Sequence, residues 1–311
     1  MQRTLLGIVA AIVTVDATWL GIRHFDVDKQ AYEILALLAA ALIAGAMFYA
    51  RVRKDESLSA MLFSAAFLIV FSAAFSLLNY LLLTVCGPRI DHMLAAVDRF
   101  AGIDWPAMMA FIASYPRLNA LLQLCYESVM PQIALLIIML GVTGRPGRIY
   151  ELSLSIGVGA ILTVALWTIA PSFGAFSVYS LPPQVSAHLN VALDQAYARD
   201  LVNLLAQGPG QISPTDAKGL VGFPSFHGAL AMMVAWYARD IRYLRWPILG
   251  LNALVLVATP IQGGHHVVDL VGGLAVALAA VSATWWLAAR PAYPSAVLVR
   301  RPELQSKVIS P

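Results

Sequence analysis

Charge is what this chain has least of: Asp, Glu, Lys and Arg make up only 12% of its 311 residues, against 60% apolar side chains. A soluble domain carries about twice that share of charge, and the mean hydropathy of +0.76 lies well outside the soluble range. Cysteine is almost absent as well. Cys86 and Cys125 show no metal-binding or redox spacing, which excludes a disulfide framework, a zinc module and a thiol redox pair. The formal net charge is only +3, and nothing in the sequence points to nucleic acid as a partner.

What remains is an all-α polytopic membrane protein. Apolar stretches near 4–22, 31–50, 58–85, 118–141, 150–171, 222–238, 246–262 and 267–289 predict about eight transmembrane helices. The few cations fall in alternate loops. Arg3, then Arg51, Arg53 and Lys54, then Arg145 and Arg148, then Arg239, Arg242 and Arg245, then Arg290, Arg300, Arg301 and Lys307 share one side if all eight spans form. The positive-inside rule makes that side the cytoplasm, with both termini inside. The first stretch carries Asp16, lacks a clear small-residue cleavage site and is soon followed by another, so it reads as an anchor. The Pro-containing basic end from Arg290 reads as a flexible cytoplasmic tail.

Two segments on the opposite side are neither loop-like nor spanning. Residues 88–116 mix Arg89, Asp91, Asp98, Arg99 and Asp104 with Met93, Leu94, Val97 and Phe100 at helical spacing, which predicts a surface helix roofing or flanking a site. Residues 172–221 form a long outer segment with a helical pattern over Leu193–Leu205, and loops of that length tend to be functional. Glu127, Gln132, Asp16 and Asn79 lie within spans and are expected to face protein, pairing with one another or lining a headgroup cavity. Trp19, Trp105, Trp246, Trp285 and Trp286 read as interfacial belt residues.

Chemistry concentrates at two borders between apolar helix and loop. The first is Pro224-Ser225-Phe226-His227 and the second is His265-His266-Val267-Val268-Asp269. Two apolar runs separated by the basic turn at Arg239, Arg242 and Arg245 lie between them, so the chain returns to the same face. Pro224 suits the first position of a helix, whose free N–H groups, with Ser225 and His227, suit an anion. His265 and Asp269, four apart, share one helix face, so the carboxylate can fix the imidazole tautomer and leave the other nitrogen as a nucleophile. His266, one residue round the helix, is expected to face headgroups or a neighbouring helix.

In order, spacing and membrane side these residues resemble the type 2 phosphatidic acid phosphatase superfamily, which carries P-S-x-H followed by H-x-x-x-D on a six-helix membrane core. The resemblance implies that His265 attacks phosphorus to form a phosphohistidine, Asp269 orients it, His227 protonates the leaving oxygen and Ser225 holds the phosphoryl group. It covers roughly the third to eighth spans and implies the division 1–57, two N-terminal helices; 58–289, catalytic domain; 290–311, cytoplasmic tail. The chain lacks the K-x-x-x-x-x-x-R-P segment usual in the phosphatases. Thr259 also stands where they place an arginine six residues before the nucleophile. With H-H-V-V-D-L-V-G-G, this is more similar to the branch of inositol phosphorylceramide synthase and the sphingomyelin synthases. Arg199 and Lys218, in the outer segment, are the candidate replacement cations.

The expected activity is transfer of a phospho-headgroup from a phospholipid donor to a lipid alcohol, on the extracytoplasmic face and without a cofactor. Hydrolysis of a lipid phosphate, with water as acceptor, uses the same triad and is the alternative. A transporter or metal-binding reading is weaker, because no cysteine or carboxylate cluster completes a shell around His227, His265, His266 and Asp269. Oligomeric state is left open by a helical core that neither needs nor excludes a partner.

Overall fold

Prolines, glycines and short acidic caps divide the apolar sequence into helices, and in the computed structural model these are described for residues 1–23, 25–208, 210–214 and 219–289. The long elements are α1 (Gln2–Arg23), α2 (Lys29–Phe48), α3 (Glu56–Leu82), α6 (Pro116–Glu127) with α7 (Val129–Val142), α8 (Pro146–Ile169), α11 (Phe226–Ala238), α12 (Arg245–Gln262) and α13 (Val267–Ala289). Between them run α4 (Asp91–Phe100), α5 (Trp105–Ala113), α9 (Pro183–Ser186) and α10 (Gln195–Gln207). Asp28, Asp55, Asp104 and Asp194 accept from backbone N–H groups at the starts of α2, α3, α5 and α10, satisfying donors that a helix leaves free. Among the described residues there is no β-strand, only an isolated bridge between Val27 and Ile212. That bridge ties the α1–α2 turn to the outer segment.

Each expected apolar stretch forms a helix, the fourth as the pair α6 and α7 bent by 45°. Five of these helices are long and apolar enough to cross a membrane by themselves, and six are if the bent pair counts as one span. At 13 residues α11 is shorter, about 20 Å at 1.5 Å per residue. It is also almost wholly enclosed, which is why an apolar run there need not match the bilayer thickness. The Arg290 tail lies outside the described residues.

Helix α8 is the hub. Its small residues (Ser155, Gly157, Ala160 and Gly159) lie in its faces packed on α3, α11 and α13, the close packing expected where lipid supplies no hydrophobic drive. The Ser155 hydroxyl bridges Tyr237 Oη at 2.8 Å and Thr284 Oγ1 at 3.0 Å, joining α8, α11 and α13. The Asn252 amide donates to Gln132 Oε1 at 2.6 Å, joining α12 to α7. Gln132 therefore pairs with neither Glu127, Asp16 nor Asn79; Glu127 instead accepts from Gln123 at 2.9 Å. Where the chain turns from α11 to α12, Asp240 receives Arg148 of α8 at 2.5 Å. This basic end of the bundle lies opposite the 224–227 and 265–269 segments.

The expected outer helix forms, and one expected surface residue is buried. On α4 the face turned inward carries Asp91, Leu94, Ala95 and Asp98, while Met93, Val97 and Phe100 are exposed. Three of the four apolar residues of the stripe point away from the protein and Leu94 points in, while both carboxylates find backbone donors inside it. Trp105, expected in an interfacial belt, is buried, with its indole N–H donating to Pro260 O at 2.9 Å and its ring against Phe176. Trp246, Trp285 and Trp286 are exposed.

The start of α11 and the first turns of α13 approach so closely that a Cβ at Gly273 would overlap the Ser225 carbonyl. Gly273→Ala is therefore expected to lower the thermal midpoint of the detergent-solubilised protein, whereas Gly250→Ala, with open space around it, is expected to hold or raise it. Equal midpoints for the two variants would contradict this packing.

Candidate active site

Backbone, not side chains, first joins the two segments: Ser225 N–H donates to the Asp269 carbonyl at 3.0 Å. The helix begins two residues later than the proline suggests. Ser225 is the N-cap of α11, its hydroxyl accepting from Gly228 N at 3.2 Å, and Pro224 precedes the cap. The Ser225 hydroxyl also lies 3.4 Å from His265 Nε2, longer than a good hydrogen bond, so that nitrogen keeps its lone pair for another partner.

His265 sits in the turn just before α13, and its Nδ1 faces Asp269 Oδ2 at 3.2 Å. Asp269 is fully buried in the first turn of α13. The same Oδ2 accepts from His266 N at 2.9 Å. With Asp269 as acceptor, Nδ1 carries the proton and Nε2 keeps its lone pair. His265 is itself 5% exposed, so what reaches it must enter by the cavity described below.

His227 stacks face to face on Tyr126, with ring centroids 4.2 Å apart and planes 11° apart. Its Nδ1 is 3.5 Å from Tyr126 Oη, at the outer limit of a hydrogen bond. Tyr126 stands at the end of α6, where the bend brings it over the site, and Gly263 leaves the space: a Cβ there would come within 2.8 Å of Tyr126 Oη. No sequence signal marked Tyr126.

Helix α4 holds the site from behind. Asp98 accepts from Val267 N at 2.7 Å and Val268 N at 3.0 Å, capping α13 from another helix. Seven residues earlier on the same face, Asp91 Oδ1 accepts from Ser172 Oγ (2.9 Å), Phe173 N (2.8 Å) and Gly174 N (3.1 Å). Arg89 pairs with its other oxygen at 2.8 Å. The strand of loop so fixed reaches the site: Ala175 N donates to Gly264 O at 2.6 Å. Gly174, at φ +82°, leaves no room for a Cβ against that same carbonyl. Both acids belong to the segment expected to flank the site, but as positioning groups and not as a solvated face.

His266 is fully buried and turned toward Asp98, with Nδ1 3.9 Å from Oδ2 and no hydrogen bond to either ring nitrogen. It therefore faces a neighbouring helix and not headgroups, and burial lowers its pKa below the usual histidine value. Of the two candidate cations, Arg199 is exposed on α10 and lines none of the cavities around the site. Lys218 lies outside the described residues. Thr259, at the position of the missing arginine, is buried and gives its hydroxyl to Val255 O at 2.7 Å. Among the described residues no group of three or more His, Cys, Asp or Glu gathers in a way that would hold a metal ion.

His227 and His265 form one end of a cavity of about 880 Å³ whose other walls come from α3, α7, α8 and α11. Those walls are mostly apolar, with Phe75, Ile133 and Leu230 among them. The volume is that of a site for a sizeable ligand. A phosphate at the histidines would have apolar chains extending into the bundle.

A family model described as the PAP2 superfamily matches residues 92–283, more than half of the chain. No curated protein matches, and no solved structure does.

Removing the cap supplied by α4 is expected to loosen the site from behind. Asp98→Ala should cost about 1–2 kcal/mol of stability, the usual range for losing a helix-capping carboxylate, read as a lower thermal midpoint and faster proteolysis near residue 265. An unchanged midpoint would show that Val267 and Val268 do not depend on Asp98.

Proposed function

Because this chain belongs to the PAP2 superfamily, whose members are generally phosphatases or phosphotransferases, we propose that it transfers a phospho-headgroup between lipids through a phosphohistidine on His265. The observation that carries the reading is the His265 Nδ1–Asp269 contact at 3.2 Å, with Nε2 beside both Ser225 and the His227-lined cavity. In the first half-reaction, the Nε2 lone pair attacks phosphorus. The bond from phosphorus to the lipid oxygen breaks, and His227 gives that oxygen its proton. In the second, the hydroxyl of the acceptor attacks phosphorus, the P–N bond breaks, and His227 recovers a proton from that hydroxyl. Asp269 stabilises the positive charge on His265 throughout.

Ser225 and the free N–H groups at the start of α11 are proposed to hold the phosphoryl oxygens. Arg199 is proposed to complete the charge together with Lys218. Its helix is tied to the site by Tyr197, whose hydroxyl donates to Gly219 O at 2.6 Å, and Gly219 is part of the cavity wall. The branch that moves headgroups to lipid alcohols is favoured over simple hydrolysis by Thr259, which gives the phosphate no cation where the phosphatases have arginine. The large apolar cavity, suited to lipid chains, supports the same choice. The cations at the far end of the bundle support a cytoplasmic basic end and a catalytic centre on the extracytoplasmic face.

Purified protein given a headgroup-labelled phospholipid is expected to transfer label to added ceramide or diacylglycerol, with little release in their absence. Release at the same rate without acceptor would replace transfer by hydrolysis. His265→Ala and Asp269→Ala are expected to lower turnover at least 10³-fold, in line with loss of a nucleophile or its orienting carboxylate. His266→Ala is expected to lower stability more than turnover. Full activity in His265→Ala would remove the mechanism.

A further inference from the structure

The end of the bundle opposite the histidines carries two apolar furrows with arginines at their mouths. Helix α11 lies between α12 and α13 and packs on both. One stripe of it, Met232, Trp236 and Arg239 at helical spacing, lines a furrow of about 350 Å³ against Leu278, Val281 and Trp285 of α13. The same three residues line a second furrow, of about 700 Å³, toward Arg245, Trp246 and Leu249 of α12. The ridge made by Trp236 and Arg239 is thus a wall common to both.

Both arginines are held by their flat faces. The Arg239 guanidinium lies 3.3 Å from the centre of the Trp236 ring, and that of Arg245 lies 4.7 Å from the centre of the Trp246 ring. Stacking occupies the face of a guanidinium and leaves its edge N–H donors available, the donors that take a phosphate with two bonds. Arg239 and Arg245 are exposed, as is Arg242 in the turn between them. The nearest carboxylate is already taken: Arg148 holds Asp240 Oδ2 at 2.5 Å, whereas Arg239 comes only within 3.8 Å of Oδ1. A cationic, apolar-walled surface at the end of a membrane bundle is left without its own counter-charge.

We propose that this ridge seats one anionic diacyl phospholipid from the leaflet at the basic end, its phosphate on Arg239 and Arg245 and one acyl chain in each furrow. Two furrows sharing a wall fit two chains joined at one headgroup, and their Met, Leu, Val and Trp linings gain nothing from a free phosphate. Charge selects the headgroup. A glycerol headgroup leaves the phosphate its net negative charge, while choline would bring a cation against Arg242 and Arg245. The chain's own end is a poor competitor, because Arg290, Arg300, Arg301 and Lys307 outweigh its single Glu303. The inference does not depend on the chemistry of His265, although the helices it braces, α11 and α13, carry His227 and Asp269 at their other ends.

Native mass spectrometry of the full-length protein released from detergent, titrated with phosphatidylglycerol or phosphatidylcholine, tests this. One phosphatidylglycerol is expected to be held about five-fold more tightly than phosphatidylcholine. Arg239→Gln combined with Arg245→Gln is expected to abolish that preference. Ser282→Trp, at an exposed position of the α13 furrow, fills one furrow while keeping both charges and is expected to weaken phosphatidylglycerol about three-fold. Arg51→Gln combined with Arg53→Gln, cations that line neither furrow, is expected to leave both lipids unchanged. A lipid in the histidine cavity is common to all variants and cancels in the comparison. A preference that survives the Arg239 and Arg245 changes overturns the site, as does displacement of the lipid by equimolar glycerol phosphate, which has the charge without the chains. A dimer that takes up no lipid assigns the furrows to a second copy of the chain and equally overturns it.

Discussion

One buried carboxylate organises the histidine-bearing end of this protein. Asp269 has no solvent and sits in the first turn of a helix inside a membrane bundle, where an isolated charge is expensive. A single oxygen meets both the His265 ring at 3.2 Å and the His266 backbone N–H at 2.9 Å. Its backbone carbonyl meanwhile anchors Ser225. His265, the turn that presents it and the start of α11 are thus fixed through one residue, and moving it disturbs all three.

That residue is held in place by groups that do not line the cavity. Asp98 caps the same helix from α4, and Asp91 fixes the loop whose Ala175 bonds Gly264. A surface helix with its acids turned inward and Met93, Val97 and Phe100 outward is the reverse of a soluble amphipathic helix. The inversion follows from where backbone donors go unsatisfied: two helix and loop ends inside the protein need carboxylates, and the outward face lies at the edge of a membrane bundle. Positioning here is electrostatic and local, in contrast to the apolar packing of α8 that holds the spans together.

How much of this could be read from the chain differs by the range of the interaction. The His265–Asp269 pair and the Ser225–His227 border are local, four and two residues apart, and so short a spacing at the start of a helix was legible in the sequence. The helical class and the approximate run boundaries followed from hydropathy. Tyr126 over His227 and Asp98 under Val267 are contacts between residues 101 and 169 apart in sequence, and no periodicity encodes them. Trp105 misled, and the direction of the α4 stripe stayed open, for a related reason. Amphipathic spacing says that a helix has two faces, and which face turns inward depends on partners that only the fold supplies.

The most direct test of the account is to trap the intermediate. Brief incubation with a phosphate-labelled phospholipid, followed by quenching and peptide mapping, is predicted to give a base-stable, acid-labile label on the peptide containing His265. The label should disappear in His265→Ala and decline when a lipid alcohol is added. Label on a serine, on His227 or on no residue at all, in protein that still turns over, would contradict the mechanism built on His265 and Asp269.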